Sequence, residues 1–583
     1  MTTIIQRREI KSYPNTWSDW KEHPLLKKLY FSRGVVDPSE LEMGLDKLLT
    51  FHDLKQIDLA TDLIYQVMKN KGKILIVGDF DTDGATSTAL VMSIMPQFGH
   101  QDITYLVPNR FEFGYGLTPE IVELAFQQQP QLIITVDNGI ANHAGVTRAN
   151  ELGMDVIITD HHLPAETLPE AAAIVNPNVK GDEFPSKSLA GVGVAFYLML
   201  ALRAHLKKLD WFEEQQIQMP NLSHWLDLVA VGTVADMVSL DGNNRRLVYQ
   251  GLKRIQAGKC RFGILALLEL AKRDYRKTSA MDIGFAIGPR LNAAGRLDDM
   301  SIGIQCLLSS NEEEARTLAV ELDQLNLSRR EIETGMQQQA MTAVEQFLSS
   351  QPSQAEIPDA LCVYEASWHQ GVVGLVASRV KEKYHRPVIA FAKENDDTNC
   401  QLLKGSARSI PGIHIRDALV YIDAKHPSLI KKFGGHAAAA GLSMPLANLS
   451  TFETALCEAV RYQLGKQTIS DVRYSDGELD PDWITLEMCQ LLSNSGPWGQ
   501  QFPEPSFDGI FKVVSQKIVG VKHLKMMLQT DDGKYIDAIA FNIDPQKWKD
   551  PVNKVQLLYR LDINEFRGER NLQLVVEFID AVT

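Results

Sequence analysis

Residues 73–92 read KILIVGDFDTDGATSTALVM, and the fold turns on them. Ile74 to Val77 is an unbroken β-rich apolar run, and from Ala85 to Met95 the pattern becomes that of an apolar helix. Between the two, Asp79, Asp81 and Asp83 alternate along one short loop that Gly84 closes. Three carboxylates so close repel one another unless cations lie among them, and a glycine permits the tight turn into a helix. An EF-hand loop also opens DxDxDG, but it requires a bidentate Glu six residues after the glycine, where this chain has Leu90. Outward from this stretch, Ile103 to Val107, Leu132 to Val136, Val156 to Thr159 and Ala173 to Val175 repeat the short apolar pattern. Helical segments such as Pro119 to Gln128 separate them, and Leu45 to Asn70 also has helical spacing. This alternation predicts an α/β fold with a doubly wound parallel sheet, whose strands are covered on both faces and whose ligands lie beyond the strands' carboxyl ends.

Two further polar elements end predicted strands on that same edge: Asp137 in TVDNG, and Asp160, His161 and His162 in TDHH. Asp236 interrupts the apolar run DLVAVGTVADMV, where a carboxylate needs a partner. Taken singly, Asp137 also reads as a turn residue, Asp236 as a helix cap and His161 as a satisfied core histidine. Their joint order on strand ends argues for a dinuclear metal site. Oxygen-rich ligands with imidazole and no thiolate favour Mn²⁺ or Mg²⁺ over zinc.

The chain has 583 residues, 45% apolar and 23% charged, with a formal charge of −14. Its length predicts three or four compact units, and no apolar run is long enough for a membrane helix. The first residues have no signal-like apolar stretch, and Cys260, Cys306, Cys362, Cys400, Cys457 and Cys489 show no CxxC spacing. A reducing cytoplasm is the expected location. Net acidity ordinarily argues against a nucleic-acid partner, but carboxylates that hold metals count towards it without opposing phosphate locally.

Farther along, residues 311–350 form a polar, proline-free stretch with Leu318, Leu322, Leu325 and Ile332 at helical spacing, which predicts a long connecting helix. A second α/β pattern follows, with ALCVY and PVIAFA as strands around VVGLVASRVKEKY, and from about Ser470 many short β-rich runs predict a small barrel. The expected boundaries are an N-terminal extension at 1–44, a catalytic domain at 45–255, a helical connector at 256–350, a substrate-binding domain at 351–466 and a barrel at 467–583.

DxDxDG, an isolated Asp, the DHH triplet and a later Asp resemble the four motifs of the DHH phosphoesterase superfamily. Further segments resemble its RecJ-type exonucleases: PNR at 108–110, GYG at 114–116, RLNAAGR at 290–296, WHQGVVG at 368–374, SARS at 406–409 and GGHAAAAG at 434–441. The resemblance covers roughly residues 45–583. It implies that Asp81 serves one metal, that Asp83, His161 and Asp236 serve the other, and that Asp137 bridges them. Asp79 supplies a contact where many superfamily members have a His in place of Val77. Asp160 and His162 are then left with catalytic support: Asp160 orienting an imidazole, and His162 touching the scissile phosphate or protonating the leaving oxygen.

The resemblance also implies a substrate surface made by Arg110, Arg290, Asn292, Arg296, His369, Gln370, Ser406, Arg408, Gly434, Gly435 and His436. Arg110, Ser406 and Arg408 would hold a terminal 5′ phosphate and so fix polarity. For each arginine a surface salt bridge is the alternative, for GGHAAAAG tight helix packing, and for Trp368 the core. The last domain resembles an OB-fold, with Lys517, Lys522, His523, Lys525 and Arg567 as groove charges. The expected activity is hydrolysis of single-stranded DNA from the 5′ end to mononucleotides, with two divalent ions. Its setting would be recombination and mismatch repair, alongside single-strand-binding protein and a RecQ-type helicase. Two rivals are a DHH phosphodiesterase on short oligonucleotides or cyclic dinucleotides, which lacks the extra β-domain, and a noncatalytic DNA-binding scaffold, which would not need the full ligand set. An inorganic pyrophosphatase of the same superfamily has no use for a strand-binding module.

Overall fold

The computed structural model describes residues 3–9, 17, 20–109, 115–350, 357–394, 401–465, 468–566 and 568–582. The chain divides into two compact units. One holds residues 5–323 and 474–583, and the other holds residues 1–4 and 324–473.

In the first unit the five predicted strands form one sheet: Ile74–Val77, Ile103–Leu106, Leu132–Val136, Asp155–Thr159 and Ala173–Val175. All four pairings are parallel. In chain order the strands lie 2-1-3-4-5, so the order reverses between Ile74–Val77 and Leu132–Val136. Val77 stands level with Thr135, and Val136 with Thr159, which brings the carboxyl ends of three strands to one edge. Every residue of Leu132–Val136 is buried. Leu75, Val77, Ile133, Val156 and Ile158 share a core with Ile121, Val122, Val146 and Ala149 from helices Pro119–Gln127 and His143–Glu151. The helix Thr82–Ile94 is buried at every position except Met92 and Ser93. Helical spacing around Leu45 to Asn70 yields a helix only from Ile57 to Lys69, preceded by short 3₁₀ turns at Leu45–Lys47 and Phe51–Asp53.

The same unit contains a closed barrel of five strands in the order Phe507–Val519, His523–Gln529, Tyr535–Ala540, Glu569–Val582, Lys554–Phe566. Its interior is filled by Leu524, Met526, Leu528, Val555, Leu557 and Leu574, all fully or nearly fully buried. The segment before the barrel is fastened to residues near the start of the chain. Tyr30 donates its hydroxyl to the Ser495 carbonyl (2.7 Å), and Arg33 meets Asp476 through two hydrogen bonds of 2.9 and 2.8 Å. Arg245 lies 4.3 Å over the Phe502 ring, and the Leu240 N–H donates to the Gln500 carbonyl.

The second unit is built on a mixed sheet ordered Lys432–Gly435, Ala439–Pro445, Leu402–Arg408, Val388–Lys393, Leu361–Tyr364. Only the last pair is parallel. The long helix Glu312–Ser350 contributes its residues from Gln324 onward to this unit. There Glu333 accepts from Arg329 and from Arg379, and Gln339 accepts from the Trp368 indole. Trp368 is 6% exposed and belongs to the core.

Candidate active site

The reversal of strand order opens a crevice beyond the two strands that flank it, and the loops after those strands carry Asp79 to Asp83 and Asp137. Asp81 is the N-cap of the helix Thr82–Ile94, its Oδ1 accepting the N–H groups of Asp83 and Gly84. Asp83 is fully buried. Its two oxygens accept the N–H groups of Gly191 (2.7 Å) and Val192 (2.9 Å) at the start of helix Gly191–Lys208. Asp137 has a left-handed backbone, with φ of 63°, one that Asp tolerates better than most residues. Its Oδ1 is buried, accepts no hydrogen bond, and lies 3.1 Å from His161 Nε2.

That imidazole nitrogen is also 3.5 Å from Asp236 Oδ2 and 4.0 Å from Asp83 Oδ2. Asp236 is the C-cap of helix Leu226–Ala235, where the helix dipole disfavours a negative charge and a cation would be welcome. Three sets of ligand atoms lie within 4.8 Å of one another: Asp83, His161 and Asp236; Asp79, Asp81 and Asp137; and Asp137, His161 and His162. Asp137 belongs to two of the three. Burial and then neighbouring carboxylates raise the pKa values of Asp137 and Asp236 well above the ordinary carboxylate range, and push Asp83 up to about 7. Convergent oxygens with imidazole nitrogen, mutually repelling and withdrawn from water, suit hard divalent ions.

Asp160 is 1% exposed, and its lone pairs are already engaged. Oδ1 accepts the N–H groups of His161 and His162 and lies 2.7 Å from His162 Nδ1, while Oδ2 accepts the Ile140 N–H. Asp160 thereby ties the backbone of both histidines and the ring of His162 to the loop at Ile140. Burial opposes charge on His162, yet the bond to Asp160 and the surrounding carboxylates raise its pKa to about 9.

Several residues that hold this edge had no functional reading in the sequence. A Cβ on Gly191 would stand 2.5 Å from Asp137 Cβ, and one on Gly232 would stand 2.8 Å from Asp83 Oδ1. A Cβ on Gly295 would collide with the Phe80 carbonyl. The signal was present as glycines inside apolar helical patterns, which mark close packing. Two expected substrate residues have partners within the protein. Asn292 turns its amide oxygen to the Thr82 N–H (2.8 Å) and hydroxyl (2.9 Å), bracing the DxDxDG loop. Arg290 is committed to Asp323 (2.8 Å) and the Ala286 carbonyl (2.8 Å), the salt-bridge alternative. Arg296 lies in the last turn of helix Gly288–Leu297. Arg110 and Arg567 fall outside the described residues.

The second unit brings other expected residues together. Arg408 Nη1 donates to Ser406 Oγ (3.1 Å) and to the Ala407 carbonyl (2.8 Å), and burial lowers its pKa. Ala439 of the GGHAAAAG segment is level with Arg408. That segment is a β-hairpin rather than a helix contact, and Gly434 and His436 are exposed near its tip. A Cβ on Gly374, at the start of helix Val373–Tyr384, would stand 2.9 Å from both Arg408 Nη2 and Ser406 Oγ. His369 and Gln370 precede that helix, with His369 Nδ1 accepting the Gly371 N–H. On the barrel, Lys517 stands opposite Lys525, which pairs with Asp537 at 3.4 Å. His523 Nδ1 accepts the Asn542 N–H.

Comparison with known proteins agrees with this architecture. Residues 73–233 match the DHH family, N-terminal domain; residues 358–462 match the DHHA1 domain; and residues 475–577 match the RecJ OB domain. The chain is 54% identical over 577 residues to the single-stranded-DNA-specific exonuclease RecJ of Escherichia coli (strain K12), covering 99% of this chain and 98% of that protein. It is 48% identical over 586 residues to the protein of that name from Haemophilus influenzae, covering the whole of both. The crystal structure of RecJ in complex with Mn²⁺ from Thermus thermophilus superposes with a TM-score of 0.80 at 27% identity, covering 99% of this chain and 80% of that one. With three domains matched in order, about half of its residues identical to these relatives over nearly their whole length, and the fold in common, the chain belongs to the RecJ family.

Proposed function

We propose that this chain hydrolyses single-stranded DNA from the 5′ end to mononucleotides, using two divalent ions, Mn²⁺ or Mg²⁺. The observation that carries the reading is the convergence of Asp83, Asp137 and Asp236 on His161 beside Asp79 and Asp81. In this reading Asp83, His161 and Asp236 would hold one ion, Asp79 and Asp81 the other, and Asp137 would contribute to both. Bound there, the ions would supply an activated water and neutralise charge at the phosphate. The chain's own contribution is placement. Asp160 fixes His162 through Nδ1, leaving Nε2 as the edge for a phosphate oxygen.

Arg408 and Ser406, with close backbone approach at Gly374, form an anion pocket suited to a terminal phosphate. The barrel would grip the strand farther along, and its facing Lys517 and Lys525 are eased by a phosphate between them. The names and bound ions of the relatives support substrate and metal alike. Action in the cytoplasm accords with the described cysteines, all of them free. The reading extends to roles in recombination and repair, with single-strand-binding protein and a RecQ-type helicase proposed as partners, which co-purification tests.

One assay tests the central claim. Protein with Mn²⁺ or Mg²⁺ is incubated with single- and double-stranded DNA labelled at either end. Labelled mononucleotide should appear first from the 5′-labelled single strand. Release first from the 3′ label, or equal digestion of duplex, overturns the polarity or the strand preference.

A further inference from the structure

Tyr115 stands on the rim of the carboxylate cluster, and no role assigned above uses it. The residue is 41% exposed, although its hydroxyl donates to the Asp137 carbonyl at 3.3 Å and so reaches the loop that carries a proposed bridging ligand. Two other aromatic rings pack nearly perpendicular to it: Phe80, from inside the DxDxDG loop, at 5.8 Å and 83°, and His162 at 6.0 Å and 82°. The backbone is fixed as well. The Asn142 side chain donates to the Tyr115 carbonyl (3.2 Å), and Gly116 is left-handed at φ 69°, where a Cβ would stand 2.5 Å from Asn142 Oδ1.

A solitary exposed tyrosine needs no explanation in general. Here the orientation is locked at the hydroxyl, by two rings and at the backbone, while the residue as a whole remains exposed to solvent. A preorganised aromatic surface costs a ligand little ordering, and every nucleobase has a face that can stack on it. Among crowded carboxylates a neutral ring can also touch a nucleotide without competing with metal ions for those carboxylates, as a lysine or arginine would.

Resting on the nuclease reading above, we infer that Tyr115 stacks on the base of the strand's first nucleotide and so sets the first phosphodiester over the metal cluster. The hydroxyl only aims the ring. Stacking is worth roughly tenfold in binding or rate for one base.

The test compares Tyr115→Ala and Tyr115→Phe in the full chain, on 5′-phosphorylated strands whose first nucleotide is either normal or abasic, in single turnover with Mn²⁺. Tyr115→Ala should lose roughly tenfold on the normal strand, while Tyr115→Phe stays within about twofold of wild type. On the abasic strand wild type should fall to the level of Tyr115→Ala, and the two should coincide. A second arm uses 2-aminopurine as the first base, in EDTA without turnover: its emission should be quenched by wild type and Tyr115→Phe but not by Tyr115→Ala. Equal losses for the Phe and Ala variants would move the role to the hydroxyl and overturn the inference. So would a wild-type rate indifferent to the missing base, which requires no variant to fold. If wild type cleaves no single strand at all, the nuclease reading fails, and the fluorescence arm alone then decides whether Tyr115 holds a base.

Discussion

At the edge of the parallel sheet, Asp83, Asp137 and Asp236 converge on His161, and none of the three pairs with a lysine or arginine among the described residues. In the mixed sheet, Arg408 is half buried with no carboxylate within ion-pair distance among the described residues. Several other buried charges are paired: Arg33 with Asp476, Arg261 with Asp227, Glu333 with two arginines. Withdrawing a charge from water without a counter-charge is costly, so the carboxylate edge leaves room for a cation and the surroundings of Arg408 leave room for an anion.

Predictions follow from trying to break that contrast. Asp137→Ala should lower the single-turnover rate by roughly 10³-fold or more, because it removes charge that both ions need, while the preference for 5′-phosphorylated over 5′-hydroxyl strands survives. A rate within tenfold of wild type would deny Asp137 its bridging place. Arg408→Ala should do the converse. Its rate on phosphorylated strands should drop about ten- to a hundredfold, hydroxyl strands should lose much less, and the thermal response to Mn²⁺ should stay intact. Equal losses on both strands would make Arg408 a general backbone contact.

Asn292→Ala sharpens the distinction between holding the loop and holding substrate. A brace on Thr82 predicts about tenfold weaker Mn²⁺ binding by calorimetry, with little change in DNA affinity without metal. Weakened DNA binding at unchanged Mn²⁺ affinity would restore the substrate role.

The smallest effect concerns pH. Carboxylates whose pKa values are raised on folding favour the protonated form, so the metal-free protein loses stability as pH rises through about 7, where Asp83 ionises. Divalent ions require the ionised form and must displace protons at lower pH. Saturating Mn²⁺ should raise Tm by about 5 to 10 °C at pH 8 and by clearly less at pH 6. An equal rise at both values would place the ion elsewhere.

Much of the parallel sheet was legible because its strands are short, mostly apolar and bounded by turn residues. Three of the five, Ile74–Val77, Leu132–Val136 and Ala173–Val175, have the bounds read from sequence. The carboxylates were legible because charge at the end of an apolar strand has few structural excuses. Asn292 and Arg290 were harder: a polar residue in a glycine-rich segment looks the same whether it will meet a phosphate or a neighbouring loop. The GGHAAAAG hairpin was misleading in composition, since alanine suggests helix, and only its pairing with Leu402–Arg408 makes it a strand. Least visible was the fastening of residues 24–33 and 240–245 to residues 476–502, for nothing local in either segment names the other. Because of it the barrel region is no detachable accessory: ending the chain near residue 466 would leave Arg33 and Tyr30 without their partners.

The Arg33–Asp476 pair has a consequence in time. The two residues are 443 positions apart, and their side chains are 1% and 2% exposed. At a ribosomal pace of about 5 to 20 residues per second, the arginine waits roughly 20 to 90 s before its aspartate is synthesised. Throughout that interval the strands of the parallel sheet and the ligands on its edge already exist as polypeptide, while the surface that will cover Tyr30 and Arg33 does not. The nascent chain therefore carries an uncovered aromatic and cationic seam for most of its synthesis. Completion of the nuclease unit is paced by translation of its last hundred residues, and a stalled ribosome would release a chain with that seam still open.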